Sequence, residues 1–406
     1  MLLAAMGLAA CQGSVLSADA GQQPGTGGGN QTGEGQGGSS GLGGATGGVG
    51  GVRAGTAGAT GGVGGVRAGM GGRTGMGGRT GMGGRDGGGP SGAGGTPIVV
   101  PPNCGSTQAN LNPFGCSMAW GMNSPGGTLT GYNYLQFMSY WIGAEARADG
   151  TLNGCNGCNW LTRNVTPTNL IPVYYGYIIG FYGHVNGLPD GNVAPNGPNL
   201  TTGGANLIRN NRAKIIAMYG SYAAQSHAVW GSKPLVWLLE GDFVQYTATS
   251  QANPLTYGEL AQLAEDISCA IKANMPNAVV AINHSTWNPN AVTNAYWAAM
   301  SGVNYDMVWT SGVGDANGFF AAGTTATSYN GGTATYAYVH GITGRTILVD
   351  TSFGLSATGD SWSDIGAANL NARIADGVIA VNVTTQEPAY AGNIASLGTL
   401  SMTCAP

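Results

Sequence analysis

Seven runs of apolar residues stand out in the last three quarters of this 406-residue chain. They are rich in β-branched and aromatic side chains, and turn-forming residues separate them. The runs cover residues 114–121, Ile171–Gly176, 235–242, Ala278–His284, 305–310, 346–352 and 377–383. Apolar runs of this length with few interruptions are typical of parallel strands that are covered on both faces.

Stretches with helical periodicity separate several of these runs. Within residues 256–274, Leu260, Leu263 and Ile267 recur at spacings of three and four, which indicates one apolar helix face. Other predicted helices cover 205–228, Asn290–Met300 and 363–375. Alternating strands and helices predict a parallel α/β barrel. Because only seven strands are recognised, we expect the barrel to be distorted or incomplete.

The first hundred residues have a different composition. The small residues before Cys11 resemble a lipobox, in which the cysteine receives a diacylglycerol. The segment is shorter than the roughly 20 apolar residues of a membrane span and lacks a basic start, so we expect the true start codon to lie upstream. Residues 12–100 are glycine-rich with short repeats and predict a flexible tether. The predicted domains are therefore 1–11, 12–100 and 101–406.

The chain has seven cysteines, so an even number, six, remains once Cys11 is assigned to the lipid anchor. The other six, which we expect to form disulfides in an exported domain, are Cys104, Cys116, Cys155, Cys158, Cys269 and Cys404. The sequence does not settle their pairing. Cys155-Asn-Gly-Cys158 has the spacing of metal and redox sites, but no second such pair follows, which disfavours a zinc ribbon. The predicted lipid anchor and the predicted disulfides together indicate a lipoprotein of the bacterial outer membrane or cell surface.

Charged residues make up only 8% of the chain, and the net charge is −4. No basic stripe is present, which disfavours nucleic acid as a partner. The histidines lack the spacing of metal ligands, and no cofactor motif occurs, so we expect neither metal nor cofactor. These features favour a neutral ligand, a monomer, and membrane contact through the lipid alone.

The working residues of parallel barrels lie at the carboxyl ends of the strands. Candidate side chains at these ends are Trp120, Tyr175, Glu240, Asp242, His284, Trp287, Trp309, Asp350 and Glu387. Aromatic rings can stack on pyranoses, and carboxylates can bind hydroxyls or transfer protons. The set therefore predicts a carbohydrate site.

Glu240 and Asp242 are the sharpest local signal. Two carboxylates two residues apart at the end of an apolar strand raise the pKa of one of them, as a general acid requires. A solvated loop or a structural ion pair is the alternative interpretation of the same residues.

Several motifs together resemble glycoside hydrolase family six, the inverting cellulases with a distorted seven-stranded barrel. The matching segments are Asn112-Pro113-Phe114, Leu239-Glu240-Gly241-Asp242, His284-Ser285-Thr286-Trp287, Val349-Asp350-Thr351-Ser352-Phe353-Gly354 and Gly359-Asp360-Ser361-Trp362. The resemblance implies that Asp242 is the proton donor.

The chain departs from that family at two loops. The stretch from Tyr175 to Gly180 has no acid, and the segment from Asn382 to Pro388 lacks the family's lysine and final aspartate. The resemblance therefore assigns no catalytic base in this chain. Glu387 is predicted to take that role from its position alone. A rival arrangement has Glu240 as acid/base and Glu387 as nucleophile of a retaining enzyme. Carboxyl groups about 5–5.5 Å apart would indicate retention, and about 6.5–9.5 Å inversion.

The sequence thus predicts hydrolysis of a β-glucan such as cellulose. Asp242 donates the proton, Glu240 tunes its pKa, and Glu387 or Asp350 acts on water or a hydroxyl. His284, Trp287, Trp120, Trp309 and Tyr175 shape the binding site. A carbohydrate-binding lipoprotein without catalysis and an envelope scaffold remain open alternatives, whereas the absence of a G-x-S-x-G motif disfavours a serine hydrolase.

Overall fold

Eight parallel strands form a closed barrel in the computed structural model. The structure describes residues 104, 112–123, 134–191, 194, 196–285, 288–311, 334–350, 366–383 and 394–402. The strands are β1 Ala119–Asn123, β2 Phe137–Ile142, β3 Ile171–Gly176, β4 Leu235–Leu239, β5 Ala278–His284, β6 Met307–Ser311, β7 Thr346–Asp350 and β8 Val378–Val383. Each strand pairs with the next, and β8 pairs with β1 in parallel, which closes the barrel.

The predicted parallel α/β barrel is confirmed, but the prediction missed one strand, β2. Its sequence, Phe-Met-Ser-Tyr-Trp-Ile, is interrupted by Ser139. Between β2 and β3 the helical segments are only the five-residue helix α1, Asn156–Trp160, and a π-helical turn, Leu161–Val165. The strand–helix alternation that marks the other strands is therefore weak here.

Longer helices surround the barrel. They are α2 Ile178–Val185, α3 Leu200–Trp230, α4 Tyr257–Asn274, α5 Asn290–Met300, α6 Tyr336–Thr343 and α7 Gly366–Ala375. Helix α3 begins earlier than the pattern predicts because Asn199 forms a capping box with Thr202. Thr256 and Glu259 form the same motif at the start of α4, close to the predicted boundary.

Side chains inside the barrel form a core separate from the one between strands and helices. Phe137, Val173, Val236 and Met307 belong to the inner core. The ring of Phe137 lies against Gly121 of β1, where an added Cβ would come within 2.0 Å of the ring. Glycine is therefore needed in this strand so that the large ring can fill the barrel.

Disulfides tie the described residues together. Cys104 pairs with Cys269 of α4, and Cys155 pairs with Cys158 at the start of α1. Cys116 is also disulfide-bonded. Cys11, Cys404 and the predicted tether lie outside the described residues. No described helix is both long and apolar enough to cross a bilayer.

Candidate active site at the carboxyl end of the barrel

A chain of hydrogen bonds crosses the inside of the barrel at its carboxyl end. The Tyr175 hydroxyl donates to Asp350 Oδ2 at 2.5 Å and accepts from Asn382 Nδ2 at 2.8 Å. Ser139 Oγ lies 3.1 Å from Asn382 Oδ1 and 2.7 Å from Asn123 Oδ1. Burial and the neighbouring Asp350 raise the pKa of Tyr175 well above its usual value, so the phenol remains a donor. The network holds Asp350 at a fixed position at the end of β7.

Glu240 follows β4 and is 1% exposed. Its Oε1 accepts hydrogen bonds from the Ile179 amide at the start of α2, at 2.6 Å, and from the Tyr219 hydroxyl of α3. Its Oε2 is buried and has no hydrogen-bond partner among the described residues. Burial raises the pKa of Glu240 to about 8, against the hydrogen bonds that lower it. At neutral pH the carboxyl group of Glu240 is therefore mostly protonated and neutral.

The backbone at Glu240 and Asp242 is strained. Their φ angles are +32° and +56°, and they are the non-glycine residues with positive φ in the described part of the chain. Such strain persists where the surrounding structure enforces it, and it clusters at functional sites. Asn283 Oδ1 accepts a hydrogen bond from the Asp242 amide at 3.1 Å, which fixes the turn. Asp242 is partly exposed, whereas Glu240 is almost completely buried.

Asp190 is the first acidic residue in the sequence after β3, and its charge acts on Glu240. Its carboxylate accepts from the Tyr177 hydroxyl and lies 3.1 Å from His184 Nε2. Burial raises the pKa of Asp190, but the hydrogen bonds from His184 and Tyr177 outweigh it and hold the pKa below its usual value. The negative charge of Asp190 in turn raises the pKa of Glu240.

Glu145 provides a comparison within the same molecule. It is also buried, at 5% exposure, and accepts from the Tyr222 hydroxyl of α3 at 3.0 Å. Its two oxygens further accept from the Asn156 amide at 2.6 Å and the Gly143 amide at 3.1 Å. Both oxygens of Glu145 are therefore satisfied, whereas one oxygen of Glu240 has no partner within the described ranges. A structural role accounts for Glu145 and does not account for Glu240 Oε2.

Two other predicted site residues, Trp120 and His284, lie on the helix side of the barrel wall. Trp120 is buried in the outer core, and His284 accepts from Trp297 Nε1 at 3.3 Å on the helix side of β5. Burial lowers the pKa of His284 to about 4, so it is neutral at pH 7. Trp309 lies inside the barrel, is 1% exposed and donates to the Leu239 carbonyl at 2.9 Å. Glu387 and Trp287 lie outside the described residues.

Trp141 was missed by the sequence analysis. It belongs to β2, shares the inward face of that strand with Phe137 and Ser139, and is 38% exposed. Its indole stacks on Tyr175 at 4.7 Å between ring centroids. The strand that carries it was not recognised from the sequence, so its position at the barrel rim was not predictable.

One group among the described residues has the mutual distances of metal ligands: Cys104, Glu265 and Cys269. The two sulfurs are joined in a disulfide, so they offer no thiolates to a metal ion. The group is explained by the covalent bond.

No protein-family model matches the chain, and a search of curated proteins found no significant match. Similar solved structures include a glycoside hydrolase family 5 enzyme of Prevotella bryantii in complex with a xyloglucan tetradecasaccharide. That likeness has 12% identity and a TM-score of 0.42, and it covers 66% of this chain and 84% of the other. A family 26 endo-β-1,4-mannanase of Cellulomonas fimi has 10% identity and a TM-score of 0.42, over 71% of this chain and 68% of the other. GH26C of Muricauda sp. has 12% identity and a TM-score of 0.45, over 70% and 86%.

The expected resemblance to glycoside hydrolase family six is wrong. That resemblance implied a distorted seven-stranded barrel, but β1 and β8 are paired and the barrel is closed with eight strands. The similar solved structures named above are from families 5 and 26. The role of Asp242 as proton donor was carried over from family six, so it loses that support.

Proposed function

We propose that this barrel is a glycoside hydrolase and that Glu240 is its general acid. One observation carries the proposal: Glu240 is a buried carboxyl with a pKa of about 8 at the carboxyl end of a barrel strand, and its Oε2 has no hydrogen-bond partner in the described part of the chain. A general acid must be protonated at working pH and able to give its proton to the leaving oxygen. Glu240 meets the first condition, and its Oε2 is the atom that would meet the second.

Asp350 is the second carboxyl of the proposed mechanism. It ends β7, three strands from β4 around the barrel, and the Tyr175 hydroxyl stabilises its charge. Glu240 protonates the glycosidic oxygen while Asp350 attacks the anomeric carbon or activates a water molecule for that attack. Asp242, at the partly exposed turn after Glu240, binds a substrate hydroxyl. Glu387 stays a sequence prediction for the same role as Asp350.

The proposed substrate is a neutral β-linked polysaccharide such as a β-glucan. The chain has few charges, and the described site combines amides, carboxylates and an exposed indole. We place the enzyme outside the cytoplasm as a monomer, anchored through a lipid on Cys11, and the Cys104–Cys269 and Cys155–Cys158 disulfides support an oxidising location.

A carbohydrate-binding protein without catalysis is the second candidate. The observation that favours it is the position of Glu240, which is 1% exposed and whose Oε1 holds the start of α2. Such a protein would bind the same polysaccharides and release no new reducing ends.

The test is a panel of soluble neutral polysaccharides, including hydroxyethylcellulose, xyloglucan, glucomannan and xylan, assayed for new reducing ends with the full chain. We expect hydrolysis of at least one of them. Glu240→Gln should then lower the rate by about 10²-fold or more, because proton transfer contributes about 10²–10⁴-fold. Glu145→Gln is the matched control, a buried tyrosine-bound glutamate with both oxygens satisfied, and it should retain hydrolysis wherever it is folded. Equal rates for wild type and Glu240→Gln would refute the proposed acid.

A further inference from the structure

Two large aromatic side chains are exposed in the described part of the chain, Trp141 at 38% and Tyr338 at 39%. Tyr338 lies on helix α6, and its hydroxyl contacts Asn294 of the neighbouring helix α5. Trp141 lies on a barrel strand one residue before its carboxyl end. An exposed indole is unusual at this position, because neighbouring side chains on the same inner side of the barrel, such as Phe137 and Tyr175, are buried.

The ring of Trp141 is held rigidly. It stacks on Tyr175 with an interplanar angle of 12°, and the edge of Tyr177 meets it at 84°. Tyr175 is itself fixed by its hydrogen bonds to Asp350 and Asn382. One face of the indole is thus covered by a buried tyrosine, and little rotamer freedom is left to lose when a ligand binds to the exposed part.

Trp141 is also close to Asp350, the second carboxyl of the proposed mechanism. Trp141 and Tyr175 are register partners on β2 and β3, and the Tyr175 hydroxyl contacts the Asp350 carboxylate. A single tyrosine side chain therefore separates the exposed indole from the second carboxyl of the site. Neighbouring polar groups on this side include the Tyr177 hydroxyl, which is bound to Asp190.

We infer that Trp141 is the stacking platform of a pyranose-binding subsite next to Asp350. The apolar C–H face of a neutral sugar ring packs on the indole, and the adjoining ring is thereby placed over the carboxyl pair. The inference rests on the proposed function for its substrate class, and it adds the residue that positions the chain. Trp141 binds substrate and transfers no proton, so it should affect KM and binding more than kcat.

The experiment uses full-length Trp141→Ala, Trp141→Phe and Tyr338→Ala, each first shown to keep the wild-type melting temperature. Binding of cellohexaose, mannohexaose and xylohexaose is measured by isothermal titration calorimetry, and hydrolysis is measured on the polysaccharide panel. We expect Trp141→Ala to weaken binding about 5- to 10-fold, because well-placed aromatic stacking contributes up to about 1.5 kcal/mol. Trp141→Phe should recover part of the affinity, and Tyr338→Ala should bind as wild type does.

The outcomes separate this inference from the proposed function. Hydrolysis with unchanged KM and binding in Trp141→Ala overturns the platform and leaves the enzyme in place. Binding that depends on Trp141 without any hydrolysis supports the platform and refutes catalysis. A wild-type protein that neither binds nor hydrolyses any of these glycans overturns both.

Discussion

The two ends of the barrel interior differ in composition. Towards the amino ends of the strands, Phe137, Val173 and Val236 fill the interior without a polar atom in their side chains. Towards the carboxyl ends, the interior contains Asp350 and Asn382, which are linked through the Tyr175 hydroxyl. Apolar packing stabilises the fold with no need for partners, whereas each buried polar group must be hydrogen-bonded. We therefore expect the amino end to contribute mainly to stability and the carboxyl end to contain the proposed active site.

The largest expected effect tests the amino end. Phe137→Ala should lower the free energy of unfolding by about 3–5 kcal/mol, because the fully buried ring packs on Phe114 and fills the space beside Gly121. Urea unfolding would measure the loss. Where the variant is still folded, its rate on a polysaccharide that wild type hydrolyses should stay close to wild type. A large rate loss in folded Phe137→Ala would show that the two ends are not separable.

Much of the fold was predictable because it depends on local apolar runs. Seven of the strands occur as such runs, and Glu240 was found because it lies near the end of one of them. The direction of a side chain across a strand was harder to predict. Trp120 and Trp141 both belong to barrel strands, yet Trp120 lies in the outer core and Trp141 at the inner rim. A shift of one residue exchanges the two faces of a strand, and the sequence does not define that register.

Long-range contacts account for the rest of the site. Tyr219 binds Glu240 from α3, and Tyr175 binds Asp350 from β3. These partners are separated by 21 and 175 residues along the chain, and no local pattern connects them. The distinction between Glu240 and Asp242 also depends on burial, which leaves one nearly inaccessible and the other partly exposed.

The buried acid Glu240 at the carboxyl end of the barrel should make the free energy of unfolding depend on pH. The pKa of Glu240 is about 8 in the folded protein and 4.5 ordinarily, so its contribution is complete below pH 4.5 and falls as the pH rises towards 8. The pKa of His284 is about 4 instead of 6.5, so its contribution is complete above pH 6.5 and falls as the pH drops towards 4. The two trends oppose each other between pH 4.5 and 6.5.

Of these two residues, only Glu240 has a contribution to stability that changes with pH between pH 6.5 and 8. We expect the free energy of unfolding to fall across this interval, with a slope of up to about 1.4 kcal/mol per pH unit. Glu240→Gln should flatten the slope, and Glu145→Gln should keep it. Chemical denaturation at a series of pH values provides the measurement. An unchanged slope in Glu240→Gln would mean that another group titrates there.

The smallest expected effect comes from removing a single hydroxyl oxygen at the carboxyl end of the barrel. Tyr175→Phe keeps the ring under Trp141 and removes the hydroxyl that donates to Asp350 at 2.5 Å. We expect kcat/KM to fall about tenfold, because a hydrogen bond to a charged group contributes about 1.5–3 kcal/mol. Stability should fall by at least about 1 kcal/mol, since the buried Asp350 carboxylate loses a donor and Asn382 loses its acceptor.

Tyr174→Phe is the matched control for that experiment. Tyr174 is the preceding residue on β3, is equally buried, and lies on the other face of the strand with its hydroxyl 3.3 Å from Ser226 Oγ. Its loss should lower stability by a similar amount and leave kcat/KM unchanged. Two neighbouring tyrosines with the same chemistry would then differ only in the face they occupy. Equal losses of kcat/KM in the two variants would contradict a specific role for the hydrogen bond from Tyr175 to Asp350.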